Sequence, residues 1–275
     1  MILAIKEEGI QVDNRPIGVM DSGVGGLTVL RQIVKILPNE SYIFVGDQAN
    51  LPYGQKSSAT VKALTKRIAD YMLTQNVKLF VIACNTSTAA SLEYLQQILP
   101  IPVIGVIAPG SESAVKTSAT GQIGVIATNG TVRSGDYQRI ITNLNPESHV
   151  YALGCPEFVT MVEQGLAGTQ AAQVAVNNRL AYFSDLPIDT LVMGCTHFPV
   201  LSQEIQNVVG QQVSLVDPGI ATAQKVAEYL NKHQQLSAGA ANIANQFHTT
   251  GNPAEFAKIA ENLLNKKVVA DHLDI

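Results

Sequence analysis

The chain has 275 residues, of which 46% are hydrophobic and 15% charged, and a net charge of −4. That length is enough for two domains with substantial buried cores, and the acidic balance gives no electrostatic case for a nucleic-acid partner or a membrane surface. No apolar run approaches the roughly 20 residues that span a bilayer, and Met1-Ile2-Leu3-Ala4-Ile5-Lys6-Glu7-Glu8 reaches acidic residues too soon for a secretory leader, so a cytoplasmic protein is expected.

Residues 1–15 stand apart as an N-terminal extension with no readable role. Ile17-Gly18-Val19-Met20 then reads as a buried strand that opens into Asp21-Ser22-Gly23-Val24-Gly25-Gly26, and apolar residues at helical spacing predict a helix over Leu27–Leu37, stopped by Pro38. A strand at Tyr42–Val45, a helix over Val61–Leu73 and a strand at Leu79–Ile82 follow; the last runs into Ala83-Cys84-Asn85-Thr86. A helix over Thr88–Leu99 and a strand at Val103–Val106 complete this first series.

Further strands are predicted at Ile123–Ile126, Val150–Leu153, Leu191–Met193 and Val213–Val216, with helices over Pro156–Glu163, Thr169–Phe183, Val200–Val208 and Ile220–Leu230. In the tail, 237–242 reads as a small-residue loop, 246–250 as strand, Pro253–Leu264 as helix and 268–270 as strand. Strand and helix alternate throughout, so parallel sheets covered on both faces are expected.

The second series repeats the first. Ile17-Gly18-Val19-Met20 returns as Ile123-Gly124-Val125-Ile126, Gly46 as Gly154, Cys84 as Cys195, and Val103-Ile104-Gly105-Val106 as Val213-Ser214-Leu215-Val216. Four strand ends in one order, each repeated about 110 residues on, mark an internal duplication. The reading is an α/β protein of two similar doubly wound parallel-sheet domains with an active site in the cleft between them. The first domain is 16–108 plus 218–275, since the tail has no counterpart and returns to the first sheet; the second is 109–217.

In parallel sheets, ligands bind at the carboxyl edge, so the strand-end loops form the candidate site. Asp21 and Ser22 lead into a glycine turn that fits neither a Walker A loop nor G-x-G-x-x-G. Cys84 and Cys195 close matching strands and are each followed by hydrogen-bonding residues, where a helix amino end eases loss of a thiol proton. Cys155 lacks such a partner and is expected to be a buried apolar group. Three widely spaced cysteines without a C-x-x-C pair make neither a disulfide framework nor a zinc site. Two thiols facing one another, with no metal or cofactor motif, suit stereoinversion at an acidic carbon. One thiolate removes a proton from one face while the other thiol delivers one to the opposite face, and a free cysteine with a pKa of about 8.5 can serve in either role. Asp21 and His197 could tune the pair, or Asp21 could bind a substrate ammonium.

Asp21-Ser22-Gly23-Val24-Gly25-Gly26-Leu27-Thr28-Val29, Pro52-Tyr53-Gly54, Ala83-Cys84-Asn85-Thr86 and Gly194-Cys195-Thr196-His197-Phe198-Pro199 together resemble the signatures of bacterial glutamate racemases, in the same order, over about Ile17 to Val269. The resemblance implies a cofactor-independent racemase, with neither cofactor nor metal, that interconverts L- and D-glutamate and supplies D-glutamate to peptidoglycan synthesis. It implies that Cys84 acts on the D-enantiomer and Cys195 on the L-enantiomer, that Asp21 and His197 assist them, and that Glu163 is a further acidic residue on the His197 side. It carries substrate binding to Ser22, Pro52, Tyr53, Gly54, Asn85, Thr86 and Thr196, mainly as donors to the two carboxylates, with Asp21 and His197 beside them and Thr128 and Thr131 approaching the same cleft. It also implies a homodimer. The run Gly46-Asp47-Gln48-Ala49-Asn50-Leu51-Pro52 departs from the commoner family pattern at Gln48 and Asn50-Leu51, so the loop before Tyr53 shapes the pocket in its own way.

Two rivals stand beside this reading. Aspartate racemases and related two-thiol racemases share the frame but typically carry Glu at the position of His197. A non-catalytic amino-acid binding protein could also use a two-domain cleft, although the opposed cysteines and the missing leader count against it.

Overall fold

The computed structural model describes residues 12–239 and 245–275. Most of the N-terminal extension, and the end of the loop expected at 237–242, lie outside the described residues.

The elements of the first series are β1 (Ile17–Asp21), α1 (Leu27–Ile36), β2 (Tyr42–Gly46), α2 (Ser58–Thr74), β3 (Leu79–Ile82), α3 (Asn85–Ile98) and β4 (Val103–Gly105). The second series is α4 (Ile107–Thr117), β5 (Gln122–Ala127), α5 (Asn129–Ser134), α6 (Asp136–Leu144), β6 (His149–Gly154), α7 (Pro156–Glu163), α8 (Gln170–Leu180), β7 (Thr190–Gly194), α9 (Ser202–Val209) and β8 (Ser214–Val216). The chain ends with α10 (Pro218–Lys232), β9 (Gln246–Thr249), α11 (Pro253–Leu264) and β10 (Asp271–His272). No helix among the described residues is long and apolar enough to cross a membrane.

All strand pairs are parallel. The first sheet runs β10-β9-β2-β1-β3-β4 and the second β6-β5-β7-β8. The second therefore reproduces the β2-β1-β3-β4 order of the first, which is the duplication expressed as topology. β9 lies against β2, with Val45 beside His248 and Gly46 beside Thr249.

Alternate residues along each strand go to opposite faces. Ile17, Val19, Phe44, Leu79 and Val81 join one core with residues of α1, α10 and α11. Met20, Ile43, Val45, Phe80 and Ile82 join another with residues of α2 and α3. The second sheet divides in the same way. Ile126, Leu191 and Met193 pack with α7, α8 and α9, and Ile123, Val125 and Val192 with α4 and α6. β1, β2, β3 and β7 are buried along their whole length, as two-sided cover requires, so their polar strand ends are the places where chemistry meets the interior.

The structure corrects several boundaries. The helix expected from Thr88 begins at Asn85, with Cys84 as its N-cap residue accepting the Ser87 N–H; the run Asn85-Thr86-Ser87-Thr88 forms a first turn, where such residues are at home. The helix expected from Ile220 begins at Pro218 behind an Asp217 cap, because proline suits the first helical position. The helices expected over Thr169–Phe183 and Val200–Val208 each contain a 3₁₀ turn, at Ala181–Phe183 and Phe198–Leu201. The strand expected at 268–270 does not form. Val268 is buried in the core and Val269 is 74% exposed, and pairing with β9 starts only at Asp271. Three helices, α4, α5 and α6, occupy a stretch in which no helix is predicted from sequence.

Candidate active site

The residues singled out from sequence converge on the carboxyl ends of the central strands of both sheets. Ser22, Pro52, Tyr53, Gly54, Cys84, Asn85, Thr86, Thr128, Cys195, Thr196 and His197 line one pocket. Asp21, Glu163 and Thr131 lie behind its wall, tied to lining residues by hydrogen bonds.

On the first side, β1 delivers Asp21 as a fully buried carboxylate. It accepts the Gly23 N–H at 3.0 Å and the Thr196 hydroxyl at 3.2 Å. Burial lifts the Asp21 carboxyl to about 6, against the His197 charge and the donors from Gly23, Gly26 and Thr196 that pull the other way. β3 delivers Cys84, whose thiol donates to Ser22 Oγ at 3.6 Å and accepts the Ser87 N–H at 3.4 Å. Burial, reinforced by the Asp21 charge, pushes the Cys84 thiol up to about 11 while the Ser87 and Ser22 hydrogen bonds partly offset it. At neutral pH Cys84 is therefore a protonated thiol.

On the second side, β7 delivers Cys195. Its Sγ lies 3.7 Å from His197 Nδ1, and His197 Nε2 lies 2.6 Å from Glu163 Oε1 at the end of α7. Burial alone would lower the His197 imidazole, but its hydrogen bonds to Cys195 and Glu163, with the negative charge on each partner, raise it to about 10. The ring is then an imidazolium that donates from both nitrogens, one toward Cys195 Sγ and the other toward Glu163 Oε1. The two thiols thus sit in different electrostatic settings, one beside a carboxylate and a hydroxyl, the other beside a cation.

Close packing joins the sides. A Cβ on Gly25 would lie 2.5 Å from Thr196 Oγ1 and 2.6 Å from His197 Nδ1, so the glycine turn after β1 is what lets the Cys195 loop approach. A Cβ on Gly54 would lie 2.6 Å from Thr128 Cβ. Thr86 Oγ1 is 2.9 Å from Thr128 Oγ1 and 3.3 Å from Thr131 Oγ1, a cluster of hydroxyls shared by α3 of the first series and α5 of the second. The amino end of α3, beside Cys84, carries the positive end of a helix dipole and unpaired N–H groups suited to a carboxylate.

Tyr53 lines the pocket and is anchored from outside it. Its OH donates to Asp47 Oδ2. Asp47 also accepts Asn50 Nδ2 at 2.9 Å and the Thr250 hydroxyl at 2.7 Å. Leu51, in the loop expected to shape the pocket, lies in the lining; sequence reasoning missed the anchoring by Asp47, and it missed Gln55, Pro156, Val159 and Thr160, which complete the lining. The duplication held the signal for the last three, because a loop after β2 that enters the pocket implies one after its repeat, β6. Cys155 is fully buried in the core beneath α7, and burial pushes its thiol up to about 12; it is a packing residue. Among the described residues, no group of three or more His, Cys, Asp or Glu side chains is arranged to hold a metal ion.

A duplicated parallel-sheet protein that presents one thiol from each half to a shared pocket has the layout of a two-base isomerase. Residues 17–226 match the family model of Asp/Glu/hydantoin racemases, and the chain belongs to that family. It is 50% identical over 266 residues to a glutamate racemase of Levilactobacillus brevis, covering 96% of each chain. Its fold matches the glutamate racemase isoform RacE1 of Bacillus anthracis with a TM-score of 0.91 at 37% identity, covering 96% of this chain and 98% of that one. It also matches a glutamate racemase of Francisella tularensis, solved in complex with D-glutamate, with a TM-score of 0.89 at 35% identity, covering 95% and 98%.

Proposed function

We propose that the protein interconverts L- and D-glutamate by proton transfer between two thiols, Cys84 and Cys195, without a cofactor. The observation that carries this reading is that matching strand ends of the two sheets place both cysteines on one pocket. The names of the relatives supply the substrate.

With L-glutamate bound, the Cys195 thiolate takes the Cα proton from one face and the Cys84 thiol gives its proton to the other. The C–H bond broken on one side is remade on the opposite side, and the enzyme is left with a Cys195 thiol and a Cys84 thiolate. D-glutamate runs the sequence in reverse. His197, held by Glu163, stabilises the charge on Cys195, and Asp21 and Ser22 adjust Cys84. The α-proton is far less acidic than a thiol, so donors that strengthen as charge builds on the α-carboxylate must supply several kcal/mol. The amino end of α3, together with Thr196, is suited to that task, while Asn85 and Thr86 are donors that hold the substrate's carboxylates in ground state and transition state alike. Pro52, Tyr53, Gly54, Thr128 and Thr131 shape the rest of the cavity.

We assign the first domain to 16–108 and 218–275 and the second to 109–217. The reading extends to a cytoplasmic homodimer that supplies D-glutamate for peptidoglycan synthesis. The test is incubation with L-glutamate in deuterated buffer without added cofactor. Loss of optical activity with deuterium at Cα is the expected result; an unchanged substrate, with aspartate then also unchanged, would leave only a binding protein.

A further inference from the structure

Tyr137 lies outside the pocket lining yet touches both cysteine loops. It sits on α6 and is anchored in the second sheet's core with Ile123, Val125, Ile141 and Val192. From there its hydroxyl donates to Asn85 Oδ1 at 2.8 Å, so the residue after Cys84 is gripped by a side chain from the other series. The same ring lies against Gly194, the residue before Cys195; a Cβ at Gly194 would lie 3.0 Å from Tyr137 Cε2. The ring is only 4% exposed, and burial holds its hydroxyl well above the usual tyrosine range, so it remains a donor at every working pH.

An asparagine amide has one accepting and one donating end. With Oδ1 turned to Tyr137, the end left for the pocket is Nδ2, which donates. We propose that Tyr137 is a positioning residue for the reaction: it fixes the Asn85 amide so that its N–H groups face a substrate carboxylate, and it holds the loops of Cys84 and Cys195 in register from behind. Without the hydroxyl, the amide can turn its oxygen toward the carboxylate, and the interaction becomes repulsive. The inference rests on the reading of the pocket as a glutamate site.

Tyr137→Phe keeps the ring and removes the hydroxyl. Glutamate affinity measured by calorimetry, and KM in both directions, are expected to weaken about tenfold, the size of one hydrogen bond to a charged group, while kcat changes by less than about threefold. In an Asn85→Ala background the same substitution is expected to leave affinity unchanged. An equal loss in both backgrounds, or a fall in kcat and melting temperature with KM unmoved, would show a packing role only and overturn the proposal. A second readout is independent of turnover. The Asn85 side-chain NH₂ resonances, assigned by their loss in Asn85→Ala, are expected to shift in Tyr137→Phe; resonances that stay in place overturn the tether even if the protein acts on a different substrate. Racemisation by the parent protein, measured in parallel, reports separately on the glutamate reading.

Discussion

Thr196 Oγ1 donates to Asp21 Oδ1 at 3.2 Å, joining the loop after the strand of one cysteine to the strand end that serves the other. Asp21 is the most deeply buried carboxylate of the site, and its ionised form is held there against a cost. The rise from 3.8 to about 6 means that its contribution to stability is complete below pH 3.8 and is lost as pH rises through 6. Above that, the charge opposes folding by up to about 3 kcal/mol. Asp21→Asn is therefore expected to stabilise the protein at pH 7.5 by roughly 1–3 kcal/mol in denaturant unfolding, to have little effect at pH 4, and to slow racemisation about 100-fold. A destabilised variant at pH 7.5 would contradict the burial argument.

His197 has the opposite consequence. Its folded pKa, raised from 6.5 to about 10, contributes stability that is complete below pH 6.5 and is lost as pH rises toward 10. The melting temperature is expected to fall across pH 7–10, and His197→Asn to flatten that slope. Glu163→Gln removes one of the two groups that raise the ring and is expected to move the fall to lower pH. Parallel melting curves for all three proteins would refute the assignment.

Removing a thiol separates binding from chemistry. Cys84→Ala is expected to lose racemisation by more than about 10³-fold while glutamate binding stays detectable by calorimetry, since the α3 amino end and Thr196 remain. Retained turnover would sink the two-thiol mechanism.

Asp47 supports the pocket from outside it. The carboxylate collects donors from Tyr53, Asn50 and Thr250, so Asp47→Ala leaves three polar groups short of their acceptor. The expected cost is about 2–4 kcal/mol of stability and a raised KM, because Tyr53 and Gly54 lose their fixed place. Thr250→Val removes one donor and is expected to show a smaller effect in the same direction. An unchanged KM in Asp47→Ala would limit the network to stability.

The repeat of strand ends was legible because buried parallel strands are written as short apolar runs that stop at polar loops, and Ile17–Met20 and Ile123–Ile126 are nearly the same run. The cysteines, Asp21 and His197 were legible for the same reason, as the polar residues where those runs stop. α4 was not, because Pro109 and Gly110 near its start look like a break, although proline is tolerated in a first helical turn. Nor was the strand at Asp271–His272, a two-residue exposed edge without an apolar pattern. Asp47–Tyr53 and Tyr137–Asn85 are pairings between partners set by packing, and no periodicity along the chain records them. Glu163 was reached by resemblance alone, since nothing local ties Met161-Val162-Glu163 to a histidine on another loop.

Among the described residues, the backbone passes between the two sheets at two places, after Gly105 into α4 and after Val216 into α10, and these two helices pack against each other. The covalent links between the halves thus run side by side, and everything else that joins the halves is noncovalent. The Thr86–Thr128, Asp21–Thr196, Thr28–Thr196 and Tyr137–Asn85 hydrogen bonds are among those contacts, so the spacing of the two sulfurs is set by packing between neighbours and not by the chain that connects them.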